Sequence, residues 1–388
     1  MNFSMTEQQD AIREAIGRIC ARFDDGYWLN KDRVGGFPND FHQALAHDGW
    51  LGICIPEEYG GSGLGVSEGV VMMQTIAESG AGMSGASAIH VYIFGLNPIV
   101  RFGTEAQKRR MLPPLIEGRE KTCFAVTEPN TGLNTTQLKT RAERRGDRYI
   151  VNGAKVWISG AQDADRMLLL ARTTPLEEVK KPTHGLSIFF TDFDRNRIDV
   201  RLIEKMGRKP VDSNELFIDN LEVPVDDLIG EEGRGFEYIL HGMNPERILI
   251  ASEAVGLGRL AISRATQYAK ERIVFGRPIG KNQAIQHPLA QCWMELEAAN
   301  LMVFKAATLY DGGQACGAEA NAAKYLAGEA GFNACQTAVM THGGYGYAKE
   351  YHVERYLREV MIPRIAPISP QLVLCFIAEK VLGLPKSY

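Results

Sequence analysis

The chain has no cysteine framework. Its seven cysteines, at 20, 54, 123, 292, 316, 335 and 375, are scattered over 388 residues with no Cys-x-x-Cys pair. An odd, unpatterned set points to reduced thiols and excludes a disulfide scaffold or a zinc site. No run of about 18 apolar residues occurs, so no membrane span is expected. The start, Met1-Asn2-Phe3-Ser4-Met5-Thr6-Glu7, carries neither a basic nor an apolar stretch. No secretory signal is expected, and with the reduced thiols a cytoplasmic protein is expected. Positive charge is not in excess: the net charge is −4, which argues against nucleic acid or an anionic membrane as partner. Internal repeats and low-complexity segments are missing. So is a phosphate-binding glycine fingerprint, because Gly60-Gly61-Ser62-Gly63 stands in no strand-to-helix context.

What is present is an ordinary globular composition, 45% hydrophobic and 23% charged, in a chain long enough for two or three domains. Residues 1–120 read as a helical domain. Thr6 is placed to cap a helix whose stripe is Ala11, Ile12, Ala15, Ile16 and Ile19. Residues 39–47 form a short helix closed by Gly49, and 67–79 and 84–102 are apolar helices. A helix over 105–117 turns Lys108-Arg109-Arg110 to solvent, with Glu105 four residues from Arg109. Residues 121–230 switch to short β-runs at 122–127, 149–159, 166–172, 186–191, 198–202, 215–218 and 221–223. Turn residues separate them, and 173–184 reads as a surface loop, so this part is a small β-barrel or sandwich. Residues 231–388 return to helix, at 236–273, 283–310, 318–341, 350–359 and from about 370 to 382. Helices of this length predict an antiparallel four-helix bundle. The fold class is α+β and multidomain, in the order helical, β, helical.

Three stretches carry chemistry. The first is Thr127-Glu128-Pro129-Asn130-Thr131-Gly132 at a strand end, answered by Lys155-Val156-Trp157-Ile158-Ser159. Read locally, this is a β-domain with a buried Trp and ordinary turns. The second is Arg272-Ile273-Val274-Phe275-Gly276, followed by Gln283. Arg272 suits either a helix C-terminus or a phosphate, which needs a paired cation when buried. The third is His342-Gly343-Gly344-Tyr345-Gly346, after a helix ending near Met340. Its glycines suit a C-cap or close backbone approach to a ligand, and His342 reads as a packing histidine.

Together, and over essentially the whole chain, these stretches resemble the acyl-CoA dehydrogenases. The resemblance implies FAD, with Thr127 and Ser159 bonded to the isoalloxazine, Trp157 packed on it, and Phe124 and Leu133 against it. It implies that Arg272, Phe275, Gln283, Gly343 and Gly344 reach the FAD of a neighbouring subunit, and that Ser369 and Gln371 also touch FAD. It further implies a homotetramer built as a dimer of dimers, an acyl-CoA substrate oxidised to the trans-2-enoyl-CoA in fatty-acid β-oxidation, electron-transfer flavoprotein as acceptor, and no metal.

Three departures from that family stand in the sequence. Leu133-Asn134 stands where Ser-Asp is common, and Met340 where Gln is frequent. The third departure concerns the base. Removing a proton from Cα of a thioester needs a carboxylate. The stretch that carries it in many members reads Arg364-Ile365-Ala366-Pro367-Ile368-Ser369-Pro370-Gln371 here, with Pro367 in place of the acid. Isovaleryl-type and long-chain-type members carry the base on a helix instead, at a position matched by Glu246 in Asn244-Pro245-Glu246-Arg247. Asn244 and Arg247 then border the substrate, Leu133 with them. A local alternative makes Asn244 an N-cap, Pro245 the first helical residue and Glu246 an ordinary first-turn acid. A helix running straight through is expected to kink at Pro245. Pro367 also lacks the N–H that helps hold the thioester carbonyl in the family, so another amide of that loop is expected to serve. Rival readings are an oxygen-using flavoenzyme of the same fold, such as an acyl-CoA oxidase or flavin monooxygenase, and a catalytically silent relative. Retention of Glu246 favours the dehydrogenase.

Overall fold

A computed structural model describes residues 4–387. Seven helices come first: α1 (Glu7–Cys20), α2 (Asp25–Val34), α3 (Asn39–His47), α4 (Val66–Ile76), α5 (Gly82–Phe94), α6 (Asn97–Phe102) and α7 (Glu105–Ile116). Thr6 caps α1 reciprocally, its hydroxyl accepting from Gln9 N–H (3.1 Å) while the Gln9 side chain accepts from Thr6 N–H (3.2 Å). The apolar helix expected over 84–102 is two helices. The one expected over 67–79 ends at Ile76 in a π-turn, where Gly80 takes φ 103°. Glu105 does not pair with Arg109. It meets Lys108 (3.2 Å) and accepts from the Tyr59 hydroxyl (2.9 Å), while Arg110 crosses to Asp227 (2.8 Å).

The β-domain holds β1 (Thr122–Ala125), β2 (Arg141–Arg145), β3 (Arg148–Ser159), β4 (Arg166–Arg172), β5 (Leu186–Asp192), β6 (Ile198–Leu202), β7 (Ser213–Pro224) and β8 (Leu228–Ile229). They form a mixed sheet ordered β6-β7-β3-β2-β4-β5-β8, with β1 parallel to β4. The runs at 215–218 and 221–223 are one strand, β7, whose bulge is taken up at Asn220 (φ 51°). β2 is polar on most of its length, which hid it from a hydrophobic reading. β4 and β5 are buried on both faces. Leu168, Leu170, Ile188 and Phe190 join the helical core, and Met167, Leu169, Ala171 and Phe189 fill the β-domain. Period-2 alternation thus docks the sheet on the helices.

The C-terminal part holds α8 (Gly235–Glu271), the hairpin β9 (Ile273–Val274) and β10 (Arg277–Pro278), α9 (Gln283–Asp311), α10 (Gly317–His342), α11 (Val353–Glu359), α12 (Met361–Ile365) and α13 (Pro370–Lys380). The helix expected from 350 starts at Val353, after His352 at φ 63°. Helix α10 buries an alanine row, Ala320, Ala323, Ala327, Ala330, Ala334 and Ala338, so α8 can lie close. A Cβ added to Gly331 would stand 2.8 Å from Ala254 O.

Helix α8 is unbroken through Pro245, which overturns the reading of Asn244 as an N-cap. Pro245 cannot donate to the carbonyl of His241, a loss that costs about 3 kcal/mol in a helix interior. Burial of the turns that follow, Ile248 to Leu257 among them, keeps the helix whole. Two helical stretches, Val66–Phe102 and Val353–Lys380, have the length and composition to cross a membrane. Their longest single helices have 13 and 11 residues, short of the about 20 a span requires.

Candidate active site

Glu246 and Glu253 stand seven residues apart on α8, two turns along one face. His90 of α5 lies between them: its Nε2 contacts Glu246 Oε2 and its Nδ1 contacts Glu253 Oε1. All three are buried, to 8%, 8% and 1% exposure for His90, Glu246 and Glu253. With both acids ionised they only accept, so a ring that meets both donates from its two nitrogens as an imidazolium. Burial pulls its pKa down, and the two carboxylates overcome that and raise it to about 10. Arg208, in the β6–β7 connection at φ 54°, donates to the Ser87 hydroxyl (2.7 Å), one turn before His90. Burial lowers the Arg208 pKa, against the field of Glu253, Glu359 and Glu246. Glu359 accepts from Ser84 N–H (3.2 Å), the Ser84 hydroxyl (2.6 Å) and Arg355 (3.2 Å). A lone histidine in an apolar helix gave no sign of this cluster. The seven-residue spacing of two acids on a long helix was the available signal.

The cluster joins the β-domain through rings. His90 packs edge-on against Phe94 (4.9 Å) and Phe94 against Phe124 of β1 (5.1 Å). Beyond β1 the chain is pinned by a second buried pair that sequence reading passed over. Lys155 donates to Glu128 Oε1 (3.0 Å), Val126 O (3.0 Å) and Leu170 O (2.7 Å). Glu128 accepts the amides of Lys139 (2.6 Å) and Thr140 (2.9 Å). Burial pushes the Lys155 ammonium down to about 8. Burial alone would raise Glu128, but Lys155 and the two amides hold it below the usual carboxylate range. This clamp fixes the strand end, where Val156 N–H donates to Thr127 O (3.0 Å).

Trp157 is not buried. It sits at 58% exposure where β3 shifts register, at φ 61°. A bulky side chain in the left-handed region is a costly conformation, of order 1–3 kcal/mol, and such residues cluster at ligand sites. Ser159 ends β3 opposite Ser213. Thr131 Oγ1 is buried without a protein partner. Leu133, 53% exposed, lies on the loop beyond.

Arg247 donates to Met243 O (3.3 Å) and Asn244 Oδ1 (3.2 Å), with its Nε unpartnered. Burial lowers its pKa, against the pull of Glu246. Lys324 of α10, lowered by burial to about 8 and within the field of Arg247, holds the Pro367 loop through Ile368 O (2.7 Å) and Arg364 O (3.3 Å). The Ala366 amide is committed to Ile362 O (2.8 Å), so it is not the donor expected from this loop. Ser369 caps α13 through Leu372 N–H (3.3 Å), and Gln371 is exposed on its first turn.

The remaining residues stand elsewhere. Arg272, Gly343 and Gly344 line a cleft of about 620 Å³ with Tyr268, His342 and Tyr345. Arg272 caps α8, twenty-six residues past Glu246, or about 39 Å at helical rise. Its guanidinium lies 5.5 Å from the Tyr345 ring and, among the described residues, in contact with no carboxylate. Gly343 closes α10 at φ 60°, and open space flanks both glycines. His342 stacks on Tyr268 (4.3 Å) and bonds Ala338 O (2.7 Å), a packing role. Phe275 is wholly exposed at the β9–β10 tip, and it and Gly276 take φ 51° and 74°, as a two-residue hairpin turn demands. Gln283 is exposed at the start of α9, and Met340 is 73% exposed with no polar group to offer. No group of His, Cys, Asp and Glu suited to a metal exists among the described residues.

The strand end is thus joined through Phe124, Phe94 and His90 to a buried carboxylate on a long helix. The acyl-CoA dehydrogenase N-terminal, middle and C-terminal domain families match residues 6–119, 123–221 and 233–367. The chain is 39% identical over 392 residues to acyl-CoA dehydrogenase FadE12 of Mycobacterium tuberculosis, covering 100% of this chain and 99% of that one. It is 33% identical to the 3-(aryl)acrylate reductase of Clostridium sporogenes, covering 97% and 99%. Butyryl-CoA dehydrogenase from Megasphaera elsdenii superposes with TM-score 0.93 at 30% identity, over 98% of this chain and 100% of that one. The chain belongs to the acyl-CoA dehydrogenase family. It is an FAD-dependent oxidoreductase, and its residues fit that cofactor: an exposed strained Trp157, the orphaned Thr131 hydroxyl, and the Arg272 cation beside open glycine backbone.

Proposed function

We propose that the protein dehydrogenates a saturated acyl-CoA to the trans-2-enoyl-CoA with Glu246 as base. The carrying observation is the buried Glu246 carboxylate, tied by His90, Phe94 and Phe124 to the strand end that bears Thr127, in a chain with no acid at 364–371. FAD, when bound, supplies the two-electron acceptor. Thr127, Trp157 and Ser159 would hold its ring, and Asn244, Arg247 and Leu133 would border the thioester. Arg272, Phe275, Gln283, Gly343 and Gly344 would serve the FAD of a second copy, because about 39 Å of α8 separates Arg272 from Glu246. The homotetramer, electron-transfer flavoprotein as acceptor, and a place in fatty-acid β-oxidation rest on the family resemblance. Seven unpaired thiols support the cytoplasmic reading.

Anaerobic mixing of the FAD-loaded protein with acyl-CoAs of graded length and branching tests it. One subset is expected to bleach the flavin promptly. Glu246→Gln is expected to keep FAD and acyl-CoA binding and to slow bleaching by about 10²–10⁴-fold. Wild-type-like bleaching of that variant would remove Glu246 as base, and rapid peroxide formation in air would favour the oxidase reading.

A further inference from the structure

We propose that His90 and Glu253 are positioning residues for the base: the imidazolium of His90, anchored on Glu253, holds Glu246 as an oriented carboxylate until it takes the α-proton. This rests on the reading of Glu246 as base. The observation is geometric. One ring spans two carboxylates of one helix face, each nitrogen meeting one of them, with all three residues buried. His90 occupies Glu246 Oε2 and leaves Oε1 as the atom that can meet a substrate.

The charges around the ring come from several elements. Helix α8 brings Glu246, Glu253 and Arg247; the β6–β7 connection brings Arg208; α11 brings Glu359 and Arg355, which pair with each other. Arg208 bonds Ser87, not either acid, so His90 is the donor that both acids share. Without it, two carboxylates would lie buried with no donor between them, and burial would drive a proton onto one. In the reaction the Cα–H bond breaks and an O–H bond forms on Glu246. The electron pair left on the substrate would become the new C=C, and bound FAD would supply the two-electron acceptor for the hydride leaving Cβ. His90 keeps both its protons throughout. A base tuned by burial alone loses its charge as the pH falls, whereas one held against an imidazolium stays ionised to lower pH.

The test is the pH dependence of anaerobic flavin reduction by a good acyl-CoA in the wild type, His90→Gln and Glu253→Gln. The acid limb is expected to move up by about one unit or more in His90→Gln, so that the loss of rate grows toward low pH and reaches about tenfold only below the limb of the wild type. Glu253→Gln is expected to move it the same way by less, and serves alone if His90→Gln folds poorly. An equal loss at every pH, with the limb unmoved, would make both residues merely structural. A second readout needs no substrate. In protein labelled with ¹⁵N-histidine, the His90 ring, identified by its loss in His90→Gln, is expected to be doubly protonated at pH 8. A neutral ring there would overturn the proposal. A wild type that no acyl-CoA reduces defeats the dehydrogenase reading itself; one that is reduced, with an unmoved limb in the variants, defeats only the role of His90.

Discussion

At the scale of single residues, the site holds buried charges answered by buried partners. His90 between two acids and Lys155 among Glu128 and two carbonyls are the two instances closest to the chemistry. Breaking such a pair by removing one partner is costly because it strands a charge away from water. The sign of the pH effect follows from the direction of each shift. His90 titrates near about 10 in the fold against 6.5 in the unfolded chain. Its stabilisation is therefore complete below 6.5 and is lost as the pH rises through the folded value. We expect the melting temperature of the wild type to fall more between pH 7 and pH 10 than that of His90→Gln. Paired thermal scans check this, and since other titrating groups are common to both proteins, parallel curves would contradict it.

At the scale of elements, α8 organises the molecule. Its small residues let α10 approach, its interior Pro245 is tolerated because the helix is packed along its length, and its acidic face carries the base. The contact at Gly331 leaves no room for a side chain, with Ala254 O at 2.8 Å and Val360 Cγ2 at 3.2 Å from an added Cβ. Gly331→Leu is expected to destabilise the fold by about 1–3 kcal/mol or more through overpacking. Urea unfolding would register it as a lower midpoint with little change in slope. A midpoint equal to the wild type would mean that α8 and α10 can separate at no cost.

At the scale of the whole molecule, the residues expected around FAD fall into two groups that one chain does not join. The β9–β10 tip carries a wholly exposed Phe275, flanked by exposed Ile273 and Val274. In the reading proposed above, a second copy covers these apolar side chains. Phe275→Asp is expected to yield a smaller species by light scattering and to weaken FAD retention, because Arg272 and Gly343 would no longer meet the second copy. A wild type that is monomeric and holds FAD would refute that arrangement.

The order of helical, β and helical parts was legible in the sequence because hydrophobic periodicity is local. So were Thr6 as a cap, the strand at 166–172 and the helix at 39–47, where side-chain pattern and turn residues agree. The candidate Glu246 was picked out by its neighbours in sequence, and so was the lack of an acid around Pro367. Only the tertiary structure decided that Pro245 lies inside a continuous helix, that Trp157 stands out on a bulge, and that His90 joins two acids 156 and 163 residues away. These depend on which helix faces which, and on what a strand pair does with one residue too many. A single sequence does not encode such contacts by spacing, because burial and charge pairing between distant segments are settled only when the elements pack.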